Sequence, residues 1–206
     1  MAACVLVVMP WLARNWVVFG EPVFLRSNFW FEFHLGNYHY ATGMGTLMKH
    51  PTHNTLQLDK YKRLGELGFV ADARQQALLF LRRYPGEFLA LTAQRVLSFW
   101  DGRPLRYRRT HYEFWDPWMV ATLSCLALLG LLLAFYRRAS GAGLFALLLL
   151  FYPAIFYITY SSTRYRHAIE PELLLLASYF VSGAASYLRL RVRSGSGEKL
   201  GGANVY

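Results

Sequence analysis

Three long apolar runs dominate the C-terminal third of the chain. The first, residues 118–136, contains no charged residue. As a helix it would extend roughly 28 Å, close to the thickness of the hydrocarbon core of a bilayer. The second run covers residues 143–160 and contains Pro153, which predicts a kink. The third covers residues 171–188 and begins at a proline, which suits the first turn of a helix. The pattern predicts an all-α membrane protein with three transmembrane helices.

A shorter apolar run, residues 1–13, opens the chain. Its dozen apolar residues would reach only about 18 Å as a helix, too short to cross a bilayer. The run lacks the basic stretch and the small-residue cleavage site of a signal peptide. We interpret it as a truncated transmembrane helix and expect the sequence to be a fragment. Its partners would then include further N-terminal transmembrane helices of a parent protein.

Residues 14–117 mix charged, aromatic and apolar positions. The part from 20 to 55 is rich in Gly, Asn, His and aromatic residues, which is typical of irregular loop with short strands. Helical periodicity predicts amphipathic helices near 58–84 and 86–100, with a Pro-Gly pair between them. The apolar face predicted for the first of these helices consists of Leu64, Leu67, Ala71, Leu78 and Leu81.

The charge distribution predicts an orientation for the spans. The formal net charge is +10, but the basic residues form no nucleic-acid-binding motif, and many lie beside apolar runs, where anionic membrane lipids are the expected partners. The positive-inside rule places Arg137, Arg138 and the basic tail of residues 189–206, which we predict to be disordered, in the cytoplasm. The mixed segment is then extracytoplasmic, in a multi-pass protein of the inner or plasma membrane. Arg164 and Arg166 fall on the outer side, against this bias.

The outer loop before the last helix is the first candidate site. Arg164, Tyr165 and Arg166 lie near the start of a predicted helix, where guanidinium groups and backbone N–H donors would suit a phosphate. The alternative is that these arginines contact lipid headgroups. Arg14, at the end of the truncated helix, is a further phosphate-binding candidate; alternatively it anchors the interface together with Trp11 and Trp16.

A second candidate set lies in the aromatic-rich stretch that follows. Arg26, Asn28, Asn37 and Tyr38 alternate with aromatic residues, and such side chains hydrogen-bond to sugars and stack on them. They are candidates for binding a sugar acceptor. Aromatic-rich loops are also common because aromatic side chains pack well.

A metal site is not favoured by the histidine pattern. His50 and His53 have H-x-x-H spacing, but Pro51 between them opposes a helix that would present both, and no cysteine or carboxylate lies close in sequence. We assign no cofactor and no catalytic residue from these patterns.

Three motifs resemble bacterial membrane glycosyltransferases of the family 39 type, the relatives of protein O-mannosyltransferases and lipid A aminoarabinose transferases. The first is P-W-L-A-R-N-W-x-V-F-G-E-x-V-x-L-R-S-N-F-x-x-E-x-x-L-G-N, residues 10–37. The second is R-x-x-P-G-x-F-x-x-L-T-x-x-R-V-L-x-F-W, residues 82–100, and the third is R-Y-R-H-x-I-E-P, residues 164–171. The resemblance extends to about Leu188.

The resemblance implies a C-type glycosyltransferase fold whose active site faces away from the cytoplasm. Such enzymes transfer a sugar from a polyprenyl-phosphate carrier to an acceptor, and a carboxylate in the first outer loop serves as general base. That loop has no counterpart in this sequence, so we expect the fragment to be inactive alone. The alternative is a non-catalytic membrane subunit that binds glycan or a protein partner at its outer face.

Overall fold

Our computed structural model is all-helical in the residues that it describes, which confirms the predicted all-α class. Residues 103–116 of the predicted extracytoplasmic segment and residues 201–206 of the predicted tail lie outside the described residues. The described residues are 2–21, 23–24, 26–102 and 117–200.

The described residues form two compact units. Unit 1 comprises those of Met1–Val96 together with Ile155–Ser161. Unit 2 comprises those of Leu97–Pro104, Arg108–Ala154 and Ser162–Tyr206. A short piece of the predicted second span, Ile155–Ser161, therefore belongs to the same unit as the N-terminal helices.

Unit 1 holds the helices that come first in the sequence. The 18-residue helix α1 runs six residues beyond the predicted end at residue 13, and it ends where Gly20 adopts a positive φ of 70°. Part of the predicted loop is helical as well. Asn54 caps α3 by accepting hydrogen bonds from the backbone of Leu56 and Gln57. The elements are α1 (Ala2–Phe19), α2 (Phe29–Gly36), a 3₁₀ turn (Leu47–Lys49), α3 (Thr55–Arg83) and α4 (Pro85–Asp101), the end of α4 lying in unit 2.

The core of unit 1 lies between α2 and α3 and is largely aromatic. Gly65 interrupts α3 with a φ of 67°, and this kink changes the phase of the helix. The predicted apolar face is wrong on both sides of this kink: Leu64 before it and Ala71 after it are exposed, and the residues that α3 buries are Phe69, Ala73, Ala77 and Phe80. The hydrophobic cluster that joins the two helices consists of Phe31, Leu35, Phe69 and Ala73.

Unit 2 is built around the packing of its two longest helices, α5 and α9. A Cβ atom added at Gly130 of α5 would lie 2.0 Å from the carbonyl oxygen of Leu176 in α9, so only glycine permits this approach. Ala127 and Ala134 are buried on the same face of α5. The elements are α5 (Pro117–Tyr136), α6 (Ala142–Phe151), α7 (Ala154–Ile158, mostly in unit 1), α8 (Thr163–Arg166), a 3₁₀ turn (His167–Ile169) and α9 (Glu170–Leu200).

Two stretches of the described chain are long and apolar enough to cross a membrane. They are Pro117–Tyr136 and Arg164–Tyr187, which match the first and third predicted spans. The predicted middle span, 143–160, is not one helix: it breaks at Pro153, which has no backbone N–H to continue the ladder. The last helix continues to Leu200, past the predicted end at residue 188, so residues 189–200 of the tail that we predicted to be disordered are helical. The end of an apolar run marks a change of environment and need not mark the end of a helix.

Candidate functional site

A cavity of about 260 Å³ in unit 1 brings together several of the predicted site residues. It lies where the end of α1 and the chain that follows meet the kinked region of α3. Arg14, which we predicted as a phosphate ligand, lines it together with Arg26 and Asn28, which we predicted as sugar ligands. Trp11, Phe19 and Glu66 also line the cavity.

Arg14 is exposed and held in place from two sides. Its Nη1 donates to Asn15 Oδ1 at 3.1 Å. Its guanidinium carbon lies 5.4 Å from the ring centroid of Trp11 and 6.0 Å from that of Phe19, both within cation–π range. These contacts orient the guanidinium through its faces and one edge, and they leave further N–H donors at the cavity surface.

Asn15 fixes the shape of this cavity. Its side chain is 2 % exposed, and Nδ2 donates to the Val23 carbonyl at 3.0 Å. That bond ties the last turn of α1 to the chain that leads to α2. Because Gly20 ends α1 between them, the backbone turns back and brings Arg26 to the same cavity as Arg14.

Hydrogen bonds within unit 1 also position other residues of the lining. Ser27 Oγ donates to a carboxylate oxygen of Glu66, and Asn28 Nδ2 donates to Glu32 Oε1 at 2.9 Å. Arg26 is exposed. The charged groups of the lining are thus two guanidiniums and one carboxylate that already accepts a hydrogen bond.

This arrangement suits an oxyanion with an apolar or ring-shaped neighbour. Guanidiniums donate to phosphate in pairs of parallel hydrogen bonds, and two of them can share one phosphate. Trp11 and Phe19 contribute apolar side chains to the same lining. At about 260 Å³ the cavity is slightly smaller than typical pockets for drug-sized ligands, so it fits a head group better than a large molecule.

The remaining predicted sugar ligands, Asn37 and Tyr38, have other surroundings. Asn37 is 0 % exposed, and its Nδ2 donates to the carbonyls of Phe33 and Ile158 at 2.8 Å each. Tyr38 is half-buried, and the Lys49 ammonium lies 4.0 Å from its ring centroid. The structure places the amide of Asn37 inside the fold, where it joins α2 to the Ile155–Ser161 piece.

Arg95, which sequence reasoning overlooked, is the partner of Asn37. Its side chain is 0 % exposed; Nη1 donates to Asn37 Oδ1 at 3.0 Å, Nη2 to the Gly36 carbonyl at 2.5 Å and Nε to the Gly43 carbonyl at 3.0 Å. Burial lowers the pKa of Arg95 to about 10. Its signal in the sequence is a single arginine one turn from Leu91 on the buried side of α4.

The outer-loop candidates lie in unit 2, where they differ in exposure. Arg166 is 3 % exposed, and Nη1 donates to the Phe99 carbonyl at 2.9 Å and to Ser124 Oγ at 2.8 Å. Its Nε lies 4.0 Å from Glu170 Oε1. Arg164 is exposed, and Tyr165 is half-buried with its carbonyl accepting from the Tyr152 hydroxyl. Of the predicted pair of arginines, Arg164 is therefore the one at the surface.

Among the described residues, no three His, Cys, Asp or Glu side chains lie close enough together to hold a metal ion. His50 packs with its ring centroid 5.4 Å from that of Phe31, and its ring is 6.1 Å from that of His53. The H-x-x-H pair belongs to a turn beside the aromatic core.

No protein-family model, curated protein or solved structure matches this chain. A functional proposal therefore depends on the cavity geometry and on the motif resemblance described above.

Proposed function

We propose that this chain is part of a membrane glycosyltransferase with a C-type fold, which takes a sugar from a polyprenyl-phosphate donor, and that the Arg14–Arg26 cavity binds the carrier phosphate. One observation carries the proposal: two arginines and two aromatic rings line a single cavity at the end of an apolar helix. A polyprenyl phosphate combines the same features, since an anionic head group is joined to an apolar chain.

The charges of the lining support a phosphate over a neutral sugar as the group bound most strongly. Arg14 and Arg26 contribute two positive charges against the single carboxylate of Glu66, which accepts a hydrogen bond from Ser27. Asn28 offers an amide beside them for a sugar hydroxyl. Arg14 and Arg26 would thus bind the phosphate, and Asn28 the sugar, of a donor molecule that contains both.

The proposed orientation places this cavity on the outer side of the membrane. The arginine pair after α5 and the basic residues late in α9 would lie in the cytoplasm, as the positive-inside rule requires. Polyprenyl-phosphate sugars used by this class of enzyme are presented at the outer leaflet. We assign no catalytic base to this chain, and its proposed contribution to the enzyme is donor binding.

The test measures binding of a polyprenyl phosphate to the full chain in lipid nanodiscs. We expect Arg14→Gln and Arg26→Gln each to weaken the apparent Kd by about ten- to hundredfold, because each removes charge-assisted hydrogen bonds worth about 1.5–3 kcal/mol. Arg63→Gln is the matched control, since Arg63 is an exposed arginine of α3 outside the cavity. It should bind like the unmodified chain.

Two further ligands show how much of the affinity comes from the phosphate, from the apolar chain and from negative charge alone. The corresponding polyprenol without phosphate should bind weakly to every variant, and an anionic phospholipid should not compete at equal concentration. If Arg14→Gln and Arg26→Gln retain full affinity, or if the polyprenol binds as well as its phosphate, the proposed phosphate site is wrong.

A further inference from the structure

The 3₁₀ turn of unit 1 has the reverse of the polarity expected for a turn that faces water. Its two apolar side chains lie outside: Leu47 is 61 % exposed and Met48 is 73 % exposed. Its charged side chain is half-buried, and the Lys49 ammonium lies 3.0 Å from His34 Nε2 and 4.0 Å from the ring centroid of Tyr38. Burial lowers the pKa of Lys49 to about 8. A turn in water would expose the lysine and cover the leucine and the methionine.

Asn54 brings a third exposed apolar side chain to this turn. Its Nδ2 donates to the Met48 carbonyl at 2.7 Å, and its Oδ1 accepts from the backbone N–H of Leu56 at 2.9 Å. Leu56 lies in the first turn of α3 and is 75 % exposed. Because one amide group hydrogen-bonds to both segments, the backbones of Met48 and Leu56 are neighbours. We call Leu47, Met48 and Leu56 the apolar tip.

Further hydrogen bonds attach the apolar tip to the core of unit 1. The backbone N–H of Thr46 donates to the Leu35 carbonyl of α2 at 3.1 Å, and Thr46 Oγ1 accepts from the backbone N–H of Met48 at 3.3 Å. The backbone N–H of His50 donates to the Leu47 carbonyl at 3.0 Å. The exposed side chains are therefore carried by a hydrogen-bonded turn whose base is joined to a buried helix.

The size of the apolar tip favours a membrane over a protein as its partner. Apolar side chains that cluster at a surface mark an interaction site. A stable protein interface buries about 800 Å² on each partner and uses about 20–30 residues of each. The tip has three side chains, which is far fewer. Shallow insertion into a bilayer needs no such area, because the surrounding lipid covers each apolar side chain separately.

Positive charges follow the apolar tip along α3. The part of this helix before the kink contains three basic residues and one acidic residue. Lys60 already forms an ion pair, whereas Lys62, Arg63 and the carboxylate of Asp59 are exposed. The exposed charges therefore sum to one positive charge. At a rise of about 1.5 Å per residue, Lys62 and Arg63 lie roughly 9–10 Å along the helix from Leu56. Apolar faces sink about 5–10 Å into the boundary between headgroups and acyl chains, so basic residues at this distance would reach the headgroups.

We propose that the apolar tip inserts into the headgroup–acyl boundary of an anionic lipid bilayer, with Lys62 and Arg63 at the level of the lipid headgroups. The reversed polarity of the turn then matches its surroundings, since the leucines and the methionine enter lipid while the Lys49 ammonium stays against the protein. Anionic headgroups complement the net positive charge that follows the tip. The proposal does not rest on the Arg14–Arg26 cavity, whose lining contains no residue of the tip.

The experiment measures whether residue 48 lies in the bilayer. The full chain with Met48→Cys, in a background of Cys4→Ala and Cys125→Ala, is labelled with a fluorophore and placed in nanodiscs of phosphatidylcholine and phosphatidylglycerol. Lipids brominated near the headgroup end of the acyl chain quench a fluorophore that they contact. We expect them to lower the emission at position 48 by about twofold or more, as for a side chain in the headgroup–acyl boundary.

The matched control is Gln75→Cys in the same background, because Gln75 is an exposed residue of α3 beyond the kink. Its label should keep its emission in brominated lipid and should be the more accessible of the two to aqueous iodide. Both labelled variants should unfold at the temperature of the unlabelled background, since both positions are exposed.

The charge requirement is tested with the lipid and with the protein. Nanodiscs of phosphatidylcholine alone should weaken the lipid quenching at position 48, and so should Lys62→Gln combined with Arg63→Gln. Lipid quenching that is equal at positions 48 and 75, or that does not depend on anionic headgroups, would overturn the proposal. A tip that faces water or binds a protein partner gives no lipid quenching at position 48 and overturns it as well. Failure here leaves the donor site unaffected, since polyprenyl-phosphate binding is tested through Arg14 and Arg26.

Discussion

Two arginines of unit 1 show how one side chain can serve opposite purposes. Arg95 is completely buried, and each of its three nitrogens donates to an oxygen atom of the protein. Arg14 is exposed, donates a hydrogen bond to its neighbour Asn15 and places its guanidinium beside a cavity. Both occur in the motifs on which the proposed glycosyltransferase assignment depends.

The difference in burial between Arg95 and Arg14 shows that the presence of an arginine in a sequence motif does not tell whether it stabilises the fold or is available to a ligand. Arg95 holds together backbone segments that are far apart in sequence, whereas Arg14 has donors left for a ligand. Replacing the first leaves buried carbonyl groups without donors, and replacing the second leaves groups that water can reach. Stability and ligand binding should therefore respond in opposite ways to the two substitutions.

The largest expected effect comes from Arg95→Met. It should lower the free energy of unfolding by about 3–5 kcal/mol, because it removes a buried charge and leaves several carbonyls and Asn37 Oδ1 unpaired. Arg14→Met should cost less than about 0.5 kcal/mol, as is usual for exposed positions. Denaturant unfolding in detergent measures both. An equal loss of unfolding free energy in Arg95→Met and Arg14→Met would contradict the different roles assigned to the two arginines.

The second effect extends the comparison to histidines. The pKa of His34 is lowered to about 4 by burial, so between pH 6.5 and about 4 the unfolded chain binds a proton that the folded chain excludes. Stability should therefore fall as the pH drops through this window, by up to about 3 kcal/mol. His34→Gln should flatten this part of the profile of unfolding free energy against pH. His53→Gln, at an exposed histidine, should leave the slope unchanged, and an unchanged slope in His34→Gln would contradict the assignment.

A smaller effect tests the close approach of Gly36 to Thr159. This approach lies within the Arg95 cluster, by which we mean Arg95, Asn37 and the carbonyls of residues 36, 43, 157 and 158 that accept its hydrogen bonds. A Cβ atom at Gly36 would lie 2.1 Å from the carbonyl oxygen of Thr159, so Gly36→Ala must displace that backbone and should cost about 1–3 kcal/mol. Gly86→Ala is the control, because a Cβ there meets open space. It should be neutral or slightly stabilising in thermal unfolding. A neutral Gly36→Ala would show that the segments are not held this closely.

The helices that could be predicted well from the sequence are those bounded by prolines and long apolar runs. The helix predicted near 86–100 is observed as Pro85–Asp101, and the run 118–136 as Pro117–Tyr136. The buried face of α3 was predicted wrongly because the prediction followed the leucines, whereas after Gly65 the helix buries two phenylalanines and two alanines on another face. Helical spacing alone does not show which of two apolar faces a helix buries.

Individual residues of the candidate site could be predicted from the sequence, but their meeting in one cavity could not. Arg14 and Arg26 were each selected for their chemistry, but their meeting depends on the turn at Gly20 and on the bond from Asn15 to the Val23 carbonyl. Arg95 was not predicted to be buried, because an arginine in an amphipathic helix is normally exposed. Its burial depends on carbonyls from residues 36, 43 and 157–158, which no local pattern connects.

The Arg95 cluster also constrains the order of events during synthesis. Its last acceptors, Tyr157 and Ile158, lie 62 and 63 residues after Arg95. At a translation rate of about 5–20 residues per second, the arginine waits roughly 3–12 s for them after it leaves the peptidyl transferase centre. Both α5 and α6 are made in that interval. Completion of unit 1 therefore follows the synthesis of most of the apolar helices, and a ribosome stalled between residues 102 and 154 would carry an unfinished unit 1.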